Sequence, residues 1–129
     1  MTLWILGLCV AVLFLGGLSL DLWRAFATRR AMAEAADAAA IAGASGLEET
    51  ELRQGVVVLD PRRAEVLARQ NLADQELPDG VTAGDVQVDA DGVEVSLEGV
   101  VDLTLLRIFL GERDLDVAVS ARADPRRSP

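Results

Sequence analysis

Asp89, Asp91 and Glu94 are the residues whose types and spacing come nearest to chemistry in this chain of 129 residues. They surround Gly92 and could offer oxygen ligands to a hard cation such as calcium. The full calcium-loop spacing, with a third acid before the glycine and a glutamate at position 12, is absent. An Asp-rich hairpin turn accounts for the same residues without a metal. Nucleophilic catalysis needs a nucleophile with a base beside it. The sequence has no histidine, tyrosine or lysine, and its only cysteine, Cys9, lies inside an apolar run. None of the serines, Ser19, Ser45, Ser96, Ser120 and Ser128, sits in a Gly-x-Ser-x-Gly setting, and no glycine-rich phosphate loop is present. No catalytic residue, metal site or cofactor is therefore expected, and the chain is not expected to be an enzyme or to act on a small-molecule substrate.

The charge distribution narrows the partners. The net charge is -9, and residues 1–46 contribute none of it, because Arg24, Arg29 and Arg30 balance Asp21, Glu34 and Asp37. The excess lies in residues 47–129, where nine arginines face eighteen acids. Such an acidic module repels phosphate backbones, so no nucleic-acid partner is expected. A single cysteine excludes an intrachain disulfide. Hydrophobic residues make up 51% of the chain and aromatic ones 4%, so Ala, Val and Leu must build both the helices and the core.

These properties rest on a few elements. Met1 to Leu20 carries no charge, and about 20 helical residues cover the roughly 30 Å hydrocarbon core of a bilayer. Residues 1–21 are therefore expected to be a transmembrane helix, with the bilayer as the first partner. A cleaved signal peptide is the competing reading. It wants a basic start and a shorter apolar core, both missing here, although Ala25-Phe26-Ala27 has the small-x-small form of a cleavage site. The alternative function is then a secreted, soluble binding module.

No proline occurs before Pro61 and no glycine lies between Leu20 and Gly43, so the helix should continue as an Ala-rich stalk over 22–46, on the order of 65 Å in all. On a helical wheel Arg30, Glu34, Asp37 and Ile41 share one side, with Arg30 and Glu34 spaced to pair. Met32, Ala35, Ala36, Ala39 and Gly43 share the other side. That small-residue face lets a neighbouring backbone approach closely, either in this chain's own domain or in another subunit.

Residues 47–123 read as one small α+β domain. Gly55 marks a turn, and Asp60-Pro61 reads as a helix N-cap with proline at the first helical position. The helix should run to about Gln75, with Ala64, Leu67, Ala68 and Leu72 as its apolar stripe. Pro78-Asp79-Gly80 is a turn, and Val86 and Val88 alternate before Ala90-Asp91-Gly92, as do Val93, Val95 and Leu97 after it. A hairpin through the Asp-Gly step follows. Leu103 to Leu110 could form a short helical turn, and Leu115, Val117, Val119 and Ala121 make a third alternating run after Gly111. The tail, 124–129, is expected to be disordered. A domain this small buries only about 60% of its chain surface, so the stalk should supply part of its core.

The run from Leu15 to Gly46 resembles the TadE/TadG-like family of Flp (Tad) pilus-assembly proteins. In that family an apolar helix is followed by Asp-x-x-Arg and an Ala-Ala-Asp-Ala-Ala-Ala block. The matching positions are Asp21, Arg24, Ala35, Ala36, Asp37, Ala38, Ala39, Ala40 and Gly43. The resemblance implies a single-pass, pseudopilin-like or accessory membrane component of pilus assembly or secretion. Its partners would be other pilus-assembly or pilin-like membrane proteins, and its C-terminal domain would lie outside the cytoplasmic membrane. No glutamate precedes Glu34, where processed pilin-like members carry one close to the cleavage glycine, which argues against peptidase processing. The basic leader usual before the apolar run is missing, and an upstream translation start would supply it. Arg24, Arg29 and Arg30 alone would hold their flank in the cytoplasm. The resemblance implies the opposite orientation, and an upstream basic leader would reconcile the two.

Overall fold

A computed structural model describes residues 1–46, 53, 55, 58–82, 84–103, 111 and 115–125. One helix, α1, runs unbroken over Thr2–Ala44, 43 residues with no proline to interrupt it. A second helix, α2, spans Pro61–Asp74. Four strands follow: β1 Val81–Thr82, β2 Val86–Asp89, β3 Gly92–Val101 and β4 Leu115–Ala123. The fold is α+β, as the alternation of helical and strand periods requires.

The start of α2 follows from two residues. Asp60 caps it, its Oδ1 accepting from the amides of Arg62 at 3.0 Å and Arg63 at 3.3 Å. Pro61 fills the first helical position, where its missing N–H costs nothing. The Asp60 amide in turn donates to the Gly46 carbonyl at 2.9 Å, tying the start of α2 to the end of α1. The far end of α2 returns along α1, for Gln75 Nε2 donates to the Ala35 carbonyl at 3.4 Å. The two helices are therefore antiparallel neighbours.

β3 is the central strand. β1 and β2 pair antiparallel with successive parts of one edge, and β4 pairs with the other edge along its whole length, from Val93↔Ala123 to Val101↔Leu115. Between β1 and β2 the backbone presses onto β3. A Cβ at Gly84 would stand 1.8 Å from the Ser96 carbonyl oxygen, so only glycine fits. Val93, Val95 and Leu97 point at the helices and are fully buried, while Glu98 and Val100 on the other face are exposed.

The hairpin forms, but its turn differs from a turn centred on Asp91-Gly92. Asp89 pairs with Gly92, so the two loop residues are Ala90 and Asp91, and Gly92 opens β3. Among the described residues no non-glycine residue has positive φ, and Gly92 does not either, which excludes the mirror-image turn that an Asp-Gly pair favours. Gly92 is needed for space, because a Cβ there would lie 2.7 Å from the Ala123 carbonyl oxygen on β4. Gly55 and Gly80 do take positive φ at the expected turns, and Gly111 takes it as well. The ambiguous run at 104–110 and most of the tail, 126–129, lie outside the described residues.

The core lies between the helix pair and the inner face of the sheet. Met32, Ala36, Ala39 and Ala40 of α1 meet Ala64, Ala68 and Leu72 of α2 and Val86, Val93, Val95 and Leu97 of the sheet. The C-terminal half of α1 is thus the central helix of the head as well as the continuation of the apolar run.

Candidate interaction surface

The small-residue face of α1 packs against this chain's own head. Ala36, Ala39 and Ala40 are fully buried, Ala35 nearly so, and Gly43 sits where α1 and α2 cross. A Cβ on Gly43 would approach the Val93 Cγ1 at 3.0 Å, the Ala64 carbonyl oxygen at 3.1 Å and the Ala68 Cβ at 3.2 Å. Small side chains at these positions let two backbones and a sheet close on one helix. Ala39→Leu has no room to expand into, and about 1–3 kcal/mol of overpacking is expected. Its melting temperature should fall by about 4 °C or more, while exposed Ala38→Leu melts as the parent does. Equal melting of the two variants in calorimetry would contradict the packing.

The opposite face carries Arg30, Glu34, Asp37, Ala38 and Ile41 to the surface. Arg30 Nε donates to Glu34 Oε1 at 2.9 Å. That hydrogen bond, and then the Coulomb attraction, raise the arginine's pKa above its ordinary value, so it stays charged at any working pH. Both groups stand in solvent, which leaves the pair little weight in stability.

Asp21 is the surprise. It is 1% exposed, the one buried charged side chain among the described residues, and none of their buried side-chain polar atoms lacks a hydrogen-bond partner. A carboxylate so enclosed must be paired or hydrogen-bonded, because an uncompensated buried charge is costly. It lies on the same side of α1 as Met32, Ala36 and Ala39, so the cover of the head reaches down to the first charged residue of the chain. Arg24, one turn on, is exposed. It lines a cleft of about 400 Å³ between Trp23–Thr28 of α1 and Pro78, Asp79, Gly80, Val100, Val101 and Asp102 at the base of the head.

The acids of the hairpin turn already face a cation. Arg122 Nη1 lies 3.6 Å from Asp89 Oδ2 and 4.0 Å from Glu94 Oε2, and its Nε lies 3.4 Å from Asp124 Oδ1. One guanidinium thus serves three carboxylates at a half-open site, an arrangement worth about 0–1 kcal/mol per pair. No group of three or more metal-ligating side chains comes together among the described residues.

The buried motif positions, the exposed Asp37 and the enclosed Asp21 all belong to one N-terminal stretch of helix. Residues 1–46 match the model of a family described as putative Flp pilus-assembly TadE/G-like. No curated protein and no solved structure matches the chain. The matching segment therefore comprises the apolar run together with the helix that forms the spine of the head. The positions that carry the resemblance divide by burial: Asp21, Ala35, Ala36, Ala39, Ala40 and Gly43 turn inward, while Arg24, Asp37 and Ala38 turn outward. Of the helix, Leu3 to Leu15 is exposed throughout, and among the described residues a single stretch is long and apolar enough to cross a membrane. Trp23 and Phe26 are 68% and 63% exposed, an openness that the sequence pattern does not announce. The signal available for them was their place, just beyond the end of the uncharged run, where aromatic side chains mark a membrane boundary.

Proposed function

We propose that this chain is a single-pass, membrane-anchored component of Tad/Flp-type pilus assembly or of a related secretion machinery, in a pseudopilin-like or accessory role. It works through protein contacts and without catalysis, and its head lies outside the cytoplasmic membrane. The match of residues 1–46 to the TadE/G-like family carries the reading. The apolar, solvent-exposed first half of α1 supports it, since no part of the chain's own head covers most of that surface. The outward motif residues Asp37 and Ala38, not used in the chain's own core, belong to the face offered to partner subunits.

The reading of a secreted module loses ground to one observation. Cleavage after Ala27 would remove Asp21, which is enclosed with the head, and would cut a continuous helix beside half-buried Thr28.

The test is genetic. In a host that assembles Tad pili, deleting the gene should abolish sheared surface filaments or the associated secretion, and the wild-type gene should restore them. A single cysteine at Asp91, in a Cys9→Ser background, should react with an impermeant maleimide on intact cells. Normal filaments in the deletion strain would refute the role, and a cysteine labelled only after lysis would refute the orientation.

A further inference from the structure

We infer that the head is seated directly on the bilayer, with Leu20, Leu22, Trp23 and Phe26 inserted in the interfacial lipid and the base of the head at headgroup level, and not held away from the membrane on a stalk. The inference rests on the membrane-anchor reading above and adds where the lipid surface lies on the molecule.

Three observations place that surface. First, the register along α1 leaves no free length of helix between the apolar run and the head. Val93 contacts the Gly43 position, Gly99 contacts Met32, and the Pro78–Gly80 turn and Val100–Asp102 face Trp23–Thr28. β3 therefore descends beside α1, its hairpin end far from the apolar run and its other end at the first turns beyond Leu20. Gly17 and Leu18 are already half-buried, so the cover begins a turn before the run ends.

Second, the two sides of the helix differ at this level. Asp21, whose charge would face lipid if the head stood off, is enclosed at 1% exposure. Leu20, Leu22, Trp23 and Phe26 stay 53–68% exposed at this level, Trp23 at the edge of the cleft it shares with the base of the head. A water-facing stalk gains nothing from a leucine, tryptophan and phenylalanine left open together, whereas the interfacial layer favours them.

Third, the tryptophans mark both boundaries. Trp4 and Trp23 are the only two in the chain. At 1.5 Å per residue they stand about 28 Å apart along the axis, close to the roughly 30 Å hydrocarbon thickness. Trp23 therefore lies at the boundary on the head's side, and Asp79 and Asp102 line the same cleft.

The experiment uses the full chain in phosphatidylcholine vesicles, since the acidic head would be repelled by anionic lipid. With Trp4→Phe, Trp23 becomes the sole tryptophan. After flotation, Trp23 emission should be quenched several-fold more by lipid labelled at a shallow acyl position than by lipid labelled near the chain end. Its quenching by aqueous acrylamide should fall several-fold below that of free tryptophan amide. A fluorophore on Asp79→Cys, in a Cys9→Ser background, should be quenched by headgroup-labelled lipid. The same fluorophore on Asp91→Cys, at the hairpin end about 30 Å further along the axis, should not be. Floating protein whose Trp23 and residue-79 probe both ignore labelled lipid overturns the seating and leaves the anchor standing. Protein that does not float overturns both.

Discussion

Leu97→Ala is expected to melt the head while leaving the apolar half of α1 helical. Leu97 is fully buried at the middle of β3, the strand that every other strand pairs with, and it faces the helix pair. Truncating a leucine at such a site removes its transfer free energy and leaves a cavity, together about 2–5 kcal/mol. Domains of this size hold only about 0.05–0.15 kcal/mol per residue, so the loss consumes much of the margin. The melting temperature should fall by at least about 8 °C. Calorimetry in detergent, with amide exchange along β3, measures the effect. Val100→Ala, at an exposed position on the outer face of the same strand, provides the control and should change stability by less than about 0.5 kcal/mol. If the two variants melt alike, the core does not lie on the inner face of β3.

That core explains which parts of the molecule could be read from the sequence. Asp60 and Pro61 announce their helix start with groups a few bonds apart, and the Val-x-Val alternation in β2 and β3 fixes which face is buried. Both are local signals. The alanine face of α1 was legible as a packing surface, but its occupant was not. Nothing in the spacing of Met32, Ala36 and Ala39 distinguishes the chain's own sheet from another subunit, and the choice is made by residues such as Val93 and Leu72, distant in sequence.

The detail of the hairpin turn and the burial of Asp21 are hidden from the sequence for the same reason. Gly92 looked like a turn residue by its neighbour Asp91, yet its need for space comes from Ala123 on β4. Asp21 has the sequence context of a surface charge at the end of a membrane helix, and its burial depends on how far the head descends along α1. The N-terminal stretch that carries the resemblance was readable, and which of its residues turn inward was partly so, because the wheel assigns sides but not partners.

Charge placement gains a meaning from this geometry. If the head meets the headgroup layer, its acidic excess in residues 47–129 is held close to lipid phosphates. Proximity then has to be sustained by apolar contact and by Arg24, Arg29 and Arg30, since like charges repel within a Debye length of about 8 Å at physiological salt. Arg24 lies at the base of the head, where that repulsion acts.

Leu13→Arg is the substitution expected to do most damage to localisation. Leu13 is 76% exposed and lies within one residue of the midpoint between Trp4 and Trp23, where a long side chain has furthest to reach to either surface. Placing arginine at the centre of a membrane helix costs about 2.5–3.5 kcal/mol, or on the order of 100-fold in partitioning. The head should fold as before, since no buried core residue lies near position 13. The variant should move from the carbonate-resistant membrane pellet to the soluble or aggregated fraction and fail to restore filaments. Ile41→Arg places the same charge on an equally open part of the same helix, 57% exposed, but beyond the lipid by some 18 residues of rise, or about 27 Å. It should stay in the membrane. Equal retention of both variants would mean that the apolar half of α1 does not live in lipid, and equal loss would mean that arginine harms the helix wherever it is placed.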